Sequence, residues 1–178
     1  MPRRGDQQTR PGGYRMVFRT TAHESDGALL ETEATYLAIS PPPAVHLHPS
    51  QDERFEVLEG AIWTRIGDVE RVYGAGESFE VPCGTPHTMC SRAEVPTRFL
   101  WQVRPALRTA EMFETTWRIA NEPGANGNPR PGLLRGAALM QEFAAEYRLV
   151  SPPRWIQLPL FALLAPIGRW MERRPASP

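Results

Sequence analysis

The sequence predicts a mainly β domain, a sandwich or barrel, followed by a C-terminal helical appendage. Strand-like runs recur at short intervals from residue 14 to residue 104, separated by Gly and Pro clusters, which is the pattern of an all-β fold. After Pro105 the apolar residues change period, from alternation to the three-and-four spacing of a helix. Three of the four histidines fall inside the strand-rich part, in two short blocks, so the chemistry is expected there.

Residues 1–13 are rich in Arg, Gln, Gly and Pro and are expected to be disordered. Strands follow at 14–20, at 28–39 after a Ser-Asp-Gly turn, and at 45–48, 53–58 and 61–66. Gly67-Asp68 reads as a hairpin turn into 69–73, and 78–81, 87–91 and 98–104 complete a barrel spanning 14–104. Thr109 is placed to cap a helix carrying Met112, Phe113, Thr116, Trp117 and Ala120 on one face, ended by Asn121-Glu122-Pro123-Gly124. A loop of Gly, Asn and Pro leads to a second helix over 133–149, with Leu133, Ala137, Met140, Ala144 and Tyr147 at helical spacing. The apolar stretch 155–170 contains Gln157, Pro159 and Pro166 and is shorter than the roughly 20 residues a spanning helix needs. It is expected to be a helical flap on the barrel or on a partner subunit, with an interfacial membrane anchor edged by Arg169, Arg173 and Arg174 as the alternative. Residues 105–178 therefore read as one helical extension.

On a strand, side chains at i and i+2 share a face, so His46 and His48 can aim two imidazoles at one point. The turn-like Pro49-Ser50-Gln51-Asp52 lets the chain re-enter with Glu53 directed at the same place. A Pro- and Gly-rich turn, Pro82-Cys83-Gly84-Thr85-Pro86, then delivers His87 at the start of another strand. Three imidazoles and one carboxylate make a plausible metal-ligand set. His23 sits in a polar run and reads as a solvated loop residue.

These blocks resemble the cupin superfamily. Its first motif, G-x5-H-x-H-x4-E-x6-G, is matched by His46, His48, Glu53 and Gly60, with Ser40 at the leading Gly. Its second, G-x5-P-x-G-x2-H-x3-N, is matched by Gly76, Pro82, Gly84 and His87, with Ser91 at the final Asn. The resemblance implies a small jelly-roll β-barrel with a single divalent transition metal on the four motif side chains. The two departures touch a turn and a polar partner and leave the ligands in place.

At 178 residues the chain is expected to be one domain able to bury its core without a structural metal, so a bound metal would be functional. Formal charge is zero with scattered basic residues, which argues against a nucleic-acid partner and for a small molecule. All 20 basic residues are Arg, which excludes lysine Schiff-base and pyridoxal phosphate chemistry. The two cysteines, Cys83 and Cys90, are out of phase with the histidines and read as incidental thiols. Without an apolar run near Met1 a cytoplasmic location is expected, and the apolar faces of the appendage make a homodimer the expected assembly.

Such a ligand set suits Fe, Mn, Ni, Cu or Zn, and four protein ligands leave two positions open on an octahedral ion, as a dioxygenase needs. It also suits an isomerase or polyketide-type cyclase in which Glu53 moves a proton, and non-catalytic binding or sensor modules share the fold. Alternation puts Phe55 on Glu53's face and Met89 on His87's face, with Tyr36 on the apolar row of its own strand. Trp101 and Gln102 take opposite faces, and alternation leaves open which looks inward. A substrate pocket drawn from Tyr36, Phe55, Met89, Trp101 and Gln102 is mainly apolar and suits an aromatic or apolar small molecule.

Overall fold

Alternating burial marks the strands that carry the site. In β5 (Asp52–Glu59), Glu53, Phe55 and Val57 point inward while Asp52, Arg54 and Glu56 face solvent. β10 (Thr97–Arg104) repeats the pattern, with Thr97, Phe99, Trp101 and Val103 inside. The computed structural model of the chain describes residues 2–10, 13–37, 39, 42–122 and 132–172. In it these strands join β1 (Gln7–Arg10), β2 (Tyr14–Thr20), β3 (Leu30–Tyr36) and β8 (Ser78–Val81) in an antiparallel sheet of order β1-β2-β3-β10-β5-β8. The second sheet, ordered β11-β4-β9-β6-β7, comprises β4 (His46–Leu47), β6 (Ala61–Ile66), β7 (Val69–Gly74), β9 (His87–Ser91) and β11 (Arg148–Leu149). Met16, Phe18, Phe55, Val57, Ile62 and Phe99 from the two sheets share one jelly-roll core.

Gly60, the last glycine of the first motif, turns β5 into β6 at φ +75, and a Cβ there would lie 2.4 Å from Thr97 Oγ1. Both the dihedral and the close approach demand glycine. Ser91, at the second motif's Asn position, is fully buried and its hydroxyl pairs with Thr97 Oγ1 at 2.9 Å.

Four expectations need correction. The N-terminal segment is not wholly disordered: Gln7–Arg10 forms β1, paired antiparallel with Tyr14 to Val17, because the edge of β2 offers free backbone groups. Thr109 does not cap the first helix. Arg108 holds that position without a side-chain cap, and Thr109 Oγ1 instead accepts a hydrogen bond from Gln51 Nε2 at 2.8 Å. The helix expected over 133–149 ends at Glu142, and the chain turns through residues 143–147 into the short strand β11. Fourth, α3 (Arg154–Glu172) packs mainly on α2 (Leu133–Glu142) and meets the barrel at its edge, where Gln157 donates to Leu149 O of β11 at 2.9 Å.

The helices stack in succession. α1 (Thr109–Ala120) inserts Phe113 and Trp117 beside Trp101 and Tyr14 of the barrel. α2 covers α1 through Leu139 and Phe143 packed with Met112 and Ile119. Ser40, Pro123, Gly124, Arg173 and Arg174, with the Gly-Asn-Pro loop, lie outside the described residues.

Candidate metal centre

Strand pairing brings the two histidine blocks together. β4 and β9 are antiparallel neighbours with His46 opposite His87, and the Gly84 N–H donates to the His48 carbonyl at 2.8 Å, tying the second motif's turn to the first. Ring centroids of His46, His48 and His87 stand 4.3 to 5.3 Å apart, and their ligand-capable nitrogens lie within 4.8 Å of one another. Glu53 reaches the same point from the other sheet, with Oε1 3.3 Å from His48 Nε2 and Oε2 3.0 Å from His87 Nε2.

Each imidazole is oriented by main chain. Nδ1 of His46 meets Ala44 O at 3.0 Å, Nδ1 of His48 meets Glu146 O at 2.6 Å, and Nδ1 of His87 meets Thr85 O at 3.1 Å. A carbonyl oxygen only accepts, so each Nδ1 carries a proton, and in the neutral form of each ring Nε2 presents a lone pair to the centre. On the carboxylate, Trp101 Nε1 donates to Glu53 Oε1 at 2.9 Å. His48 Nε2 and Glu53 Oε2 are buried without a hydrogen-bond partner. Acceptors converging on one buried point with no donor between them are the arrangement that a cation relieves, so the donor set fits a divalent transition metal.

Charge follows from the same crowding. Burial, reinforced by His87 and His48, pushes the His46 imidazole down to about 3, leaving it neutral near pH 7. Burial opposes charge on Glu53, but His87 and then His48 hold its carboxyl below the usual range. Burial also disfavours a charged His87, but Glu53 outweighs it and raises the imidazole above its ordinary value. Tyr147 stacks on His46 at 4.6 Å between centroids, and burial lifts its phenol to about 12.

The expected pocket is only partly assembled. Phe55 stacks between Phe79 and Trp101, and the Trp101 indole faces the centre. Met89 is buried two residues beyond His87, beside the core. Gln102 is a correction: it turns to the outer face and donates to Glu31 Oε2, as the alternate of an inward Trp101 must. Tyr36 is also displaced from the centre. It pairs with Thr97, six residues along β10 from Val103, which is level with Glu53, and it packs on Tyr14 and Phe99 at the far end. A cleft of about 410 Å³ is lined by Ala44, Val45, Arg65, Asp68 and Pro86 among others, and none of the expected pocket residues lines it.

Two partners escaped the sequence. Glu146 contributes only a carbonyl, which no residue type announces, and Tyr147 fits an apolar helical stripe that the chain leaves before reaching it. A buried indole needs an acceptor, and that requirement could have directed Trp101 toward Glu53.

Residues 37–103 match the family model of the cupin domain. Among solved structures, an RmlC-like cupin from Shewanella frigidimarina is similar at 19% identity and TM-score 0.51, covering 60% of this chain and 88% of that one. KdgF from a Halomonas species aligns at 18% identity and TM-score 0.49, covering 56% and 86%. A predicted oxalate decarboxylase from Thermotoga maritima aligns at 16% identity and TM-score 0.48, covering 52% and 80%. No curated protein matches the sequence. Among the described residues no helix is long and apolar enough to cross a membrane.

Proposed function

We propose that this chain, whose residues 37–103 match the cupin domain, is a cupin-superfamily metal-dependent oxidoreductase of the dioxygenase type acting on a small apolar or aromatic molecule. The observation that carries the reading is the convergence of three imidazoles on one point, with the Glu53 carboxylate against His48 and His87 and every Nδ1 already committed to a backbone carbonyl. His46, His48, Glu53 and His87 would hold Fe, Mn, Ni, Cu or Zn, and such an ion supplies redox or Lewis-acid chemistry to a substrate at its open positions.

The chain's own residues set the conditions. Trp101 holds Glu53 by its Oε1, which fixes the carboxylate as a ligand and restrains it from swinging out with a proton. Phe55, Phe79 and Met89 line the interior beside the ligands and keep it dry. His46 is the least buried ligand, with Tyr147 against its ring, so a substrate would approach along that side.

Elemental analysis of untagged protein tests the metal, and oxygen uptake over a panel of flavonols, catechols and β-diketones with each metal form tests the reaction. We expect near-stoichiometric metal, and oxygen consumption that is lost in His87→Ala. Turnover without oxygen would replace this reading by an isomerase or polyketide-type cyclase. Tight binding of an unchanged ligand would replace it by a non-catalytic module, which the dense aromatic packing around Glu53 favours as the second reading. A cytoplasmic homodimer belongs to the same proposal and is read by sedimentation.

A further inference from the structure

The helical appendage is a succession of buried faces that ends in the open. α1 is covered by α2, and α2 by α3, where Gly168 and Ala165 allow close approach. The other side of α3 is exposed and apolar: Trp155 is 74% exposed, Leu163 70% and Trp170 53%, with Leu158 and Ile167 also open to solvent. At 100° per residue these positions fall on one broad face, and the two indoles bracket about 22 Å of helix. Exposed apolar residues in such a row mark a surface that meets something.

The whole-chain charge of zero hides a local asymmetry. Between Tyr147 and Met171 the sequence holds Arg148, Arg154 and Arg169 and no Asp or Glu. Arg148 Nε donates to Ala144 O and Arg169 Nη1 to Gln141 Oε1, both neutral acceptors. A cleft of about 60 Å³ lined by Arg148, Arg154, Gln157 and Leu158 opens beside the apolar face, and Tyr147, which stacks on His46, forms part of its wall.

We propose that the exposed face of α3 docks on an anionic lipid bilayer, lying in the interface with Trp155 and Trp170 at headgroup level and Arg148, Arg154 and Arg169 toward lipid phosphates. Amphipathic interfacial helices combine these features: tryptophans and aliphatics on the buried side, arginines at the edge, and too little apolar length to span. A second copy of the chain fits less well. An isologous contact would set this acid-free basic segment against itself, so arginines would meet arginines.

The test is co-sedimentation of the full-length protein with vesicles of phosphatidylcholine and phosphatidylglycerol, against phosphatidylcholine alone, with tryptophan emission recorded in parallel. We expect binding to the anionic vesicles with a blue shift, weakened at least about tenfold by neutral vesicles or by high salt. Leu163→Glu and the double variant Arg154→Gln/Arg169→Gln change exposed positions, so circular dichroism should stay unchanged while binding falls about tenfold or more. Absence of anionic-vesicle binding at low salt would overturn the proposal, as would equal binding by Leu163→Glu. Salt-independent binding to both vesicle types, or a soluble dimer that Leu163→Glu splits and that ignores vesicles, would also overturn it.

Discussion

At the scale of single residues, the contact that decides most is the one between Trp101 Nε1 and Glu53 Oε1. Trp101→Phe keeps the stacked ring and removes only the donor, leaving a buried carboxylate oxygen without a partner. Supporting hydrogen bonds of this kind tune metal affinity by about 10- to 100-fold, so chelator competition should show a loss in that range. The same variant should lower stability of the metal-free protein by about 1–3 kcal/mol in urea unfolding. The histidines make a second prediction. An unfolded His46 takes a proton near pH 6.5, whereas the folded one resists until about pH 3, so the unfolded chain binds more protons between those values. Metal-free protein should therefore lose stability as pH falls through that window, by up to about 1.4 kcal/mol per pH unit from this group. Glu53, held below its usual range, acts in the same direction, since its contribution disappears as acid protonates it. His87 opposes them, because its raised value contributes stability at low pH that is lost as pH rises. Urea titrations at several pH values should show a flatter dependence in His46→Asn. The motif spacing made the four candidate ligands legible, because period and turn chemistry alone bring them near one point. Which of Trp101 and Gln102 faces inward was not legible, since alternation gives parity without its sign.

At the scale of elements, tight helix contact replaces side-chain chemistry. A Cβ on Gly168 would lie 2.2 Å from Leu134 O, a main-chain atom that cannot move aside without shifting α2. Gly168→Ala should gain roughly 1 kcal/mol of helix propensity and lose more to that clash, for a net destabilisation of about 1–3 kcal/mol in urea unfolding. Strand β11 is the element the sequence concealed. Its pairing places Leu149 opposite His46, and Gln157 of α3 donates to Leu149 O at 2.9 Å. A two-residue strand carries no period, and Tyr147 stays in step with the preceding apolar stripe even though the helix has ended. The longer barrel strands were legible because one face of each is buried, which imposes alternation on the sequence. Tyr147→Ala should expose the His46 ring, and a cobalt-substituted sample should report the change in its visible spectrum.

At the scale of the whole molecule, the metal and the fold should stabilise one another. Metal at 100 times its dissociation constant adds about 2.7 kcal/mol. For a chain of this size that is a rise of roughly 5–11 °C in melting temperature, which a chelator should reverse. The fold class was legible end to end, as strands then helices, but the order in which the helices cover one another was not, because an apolar face does not name its partner. The carbonyl that orients His48 belongs to Glu146, 98 residues further along the chain. All four candidate ligands have left the ribosome once His87 emerges, yet the partner of His48 Nδ1 is still to be translated. A nascent or C-terminally clipped chain would thus present the ligands with one imidazole free to rotate. Tight retention of an ion there would then be a property of finished molecules, and metal content would report that synthesis has run to the appendage.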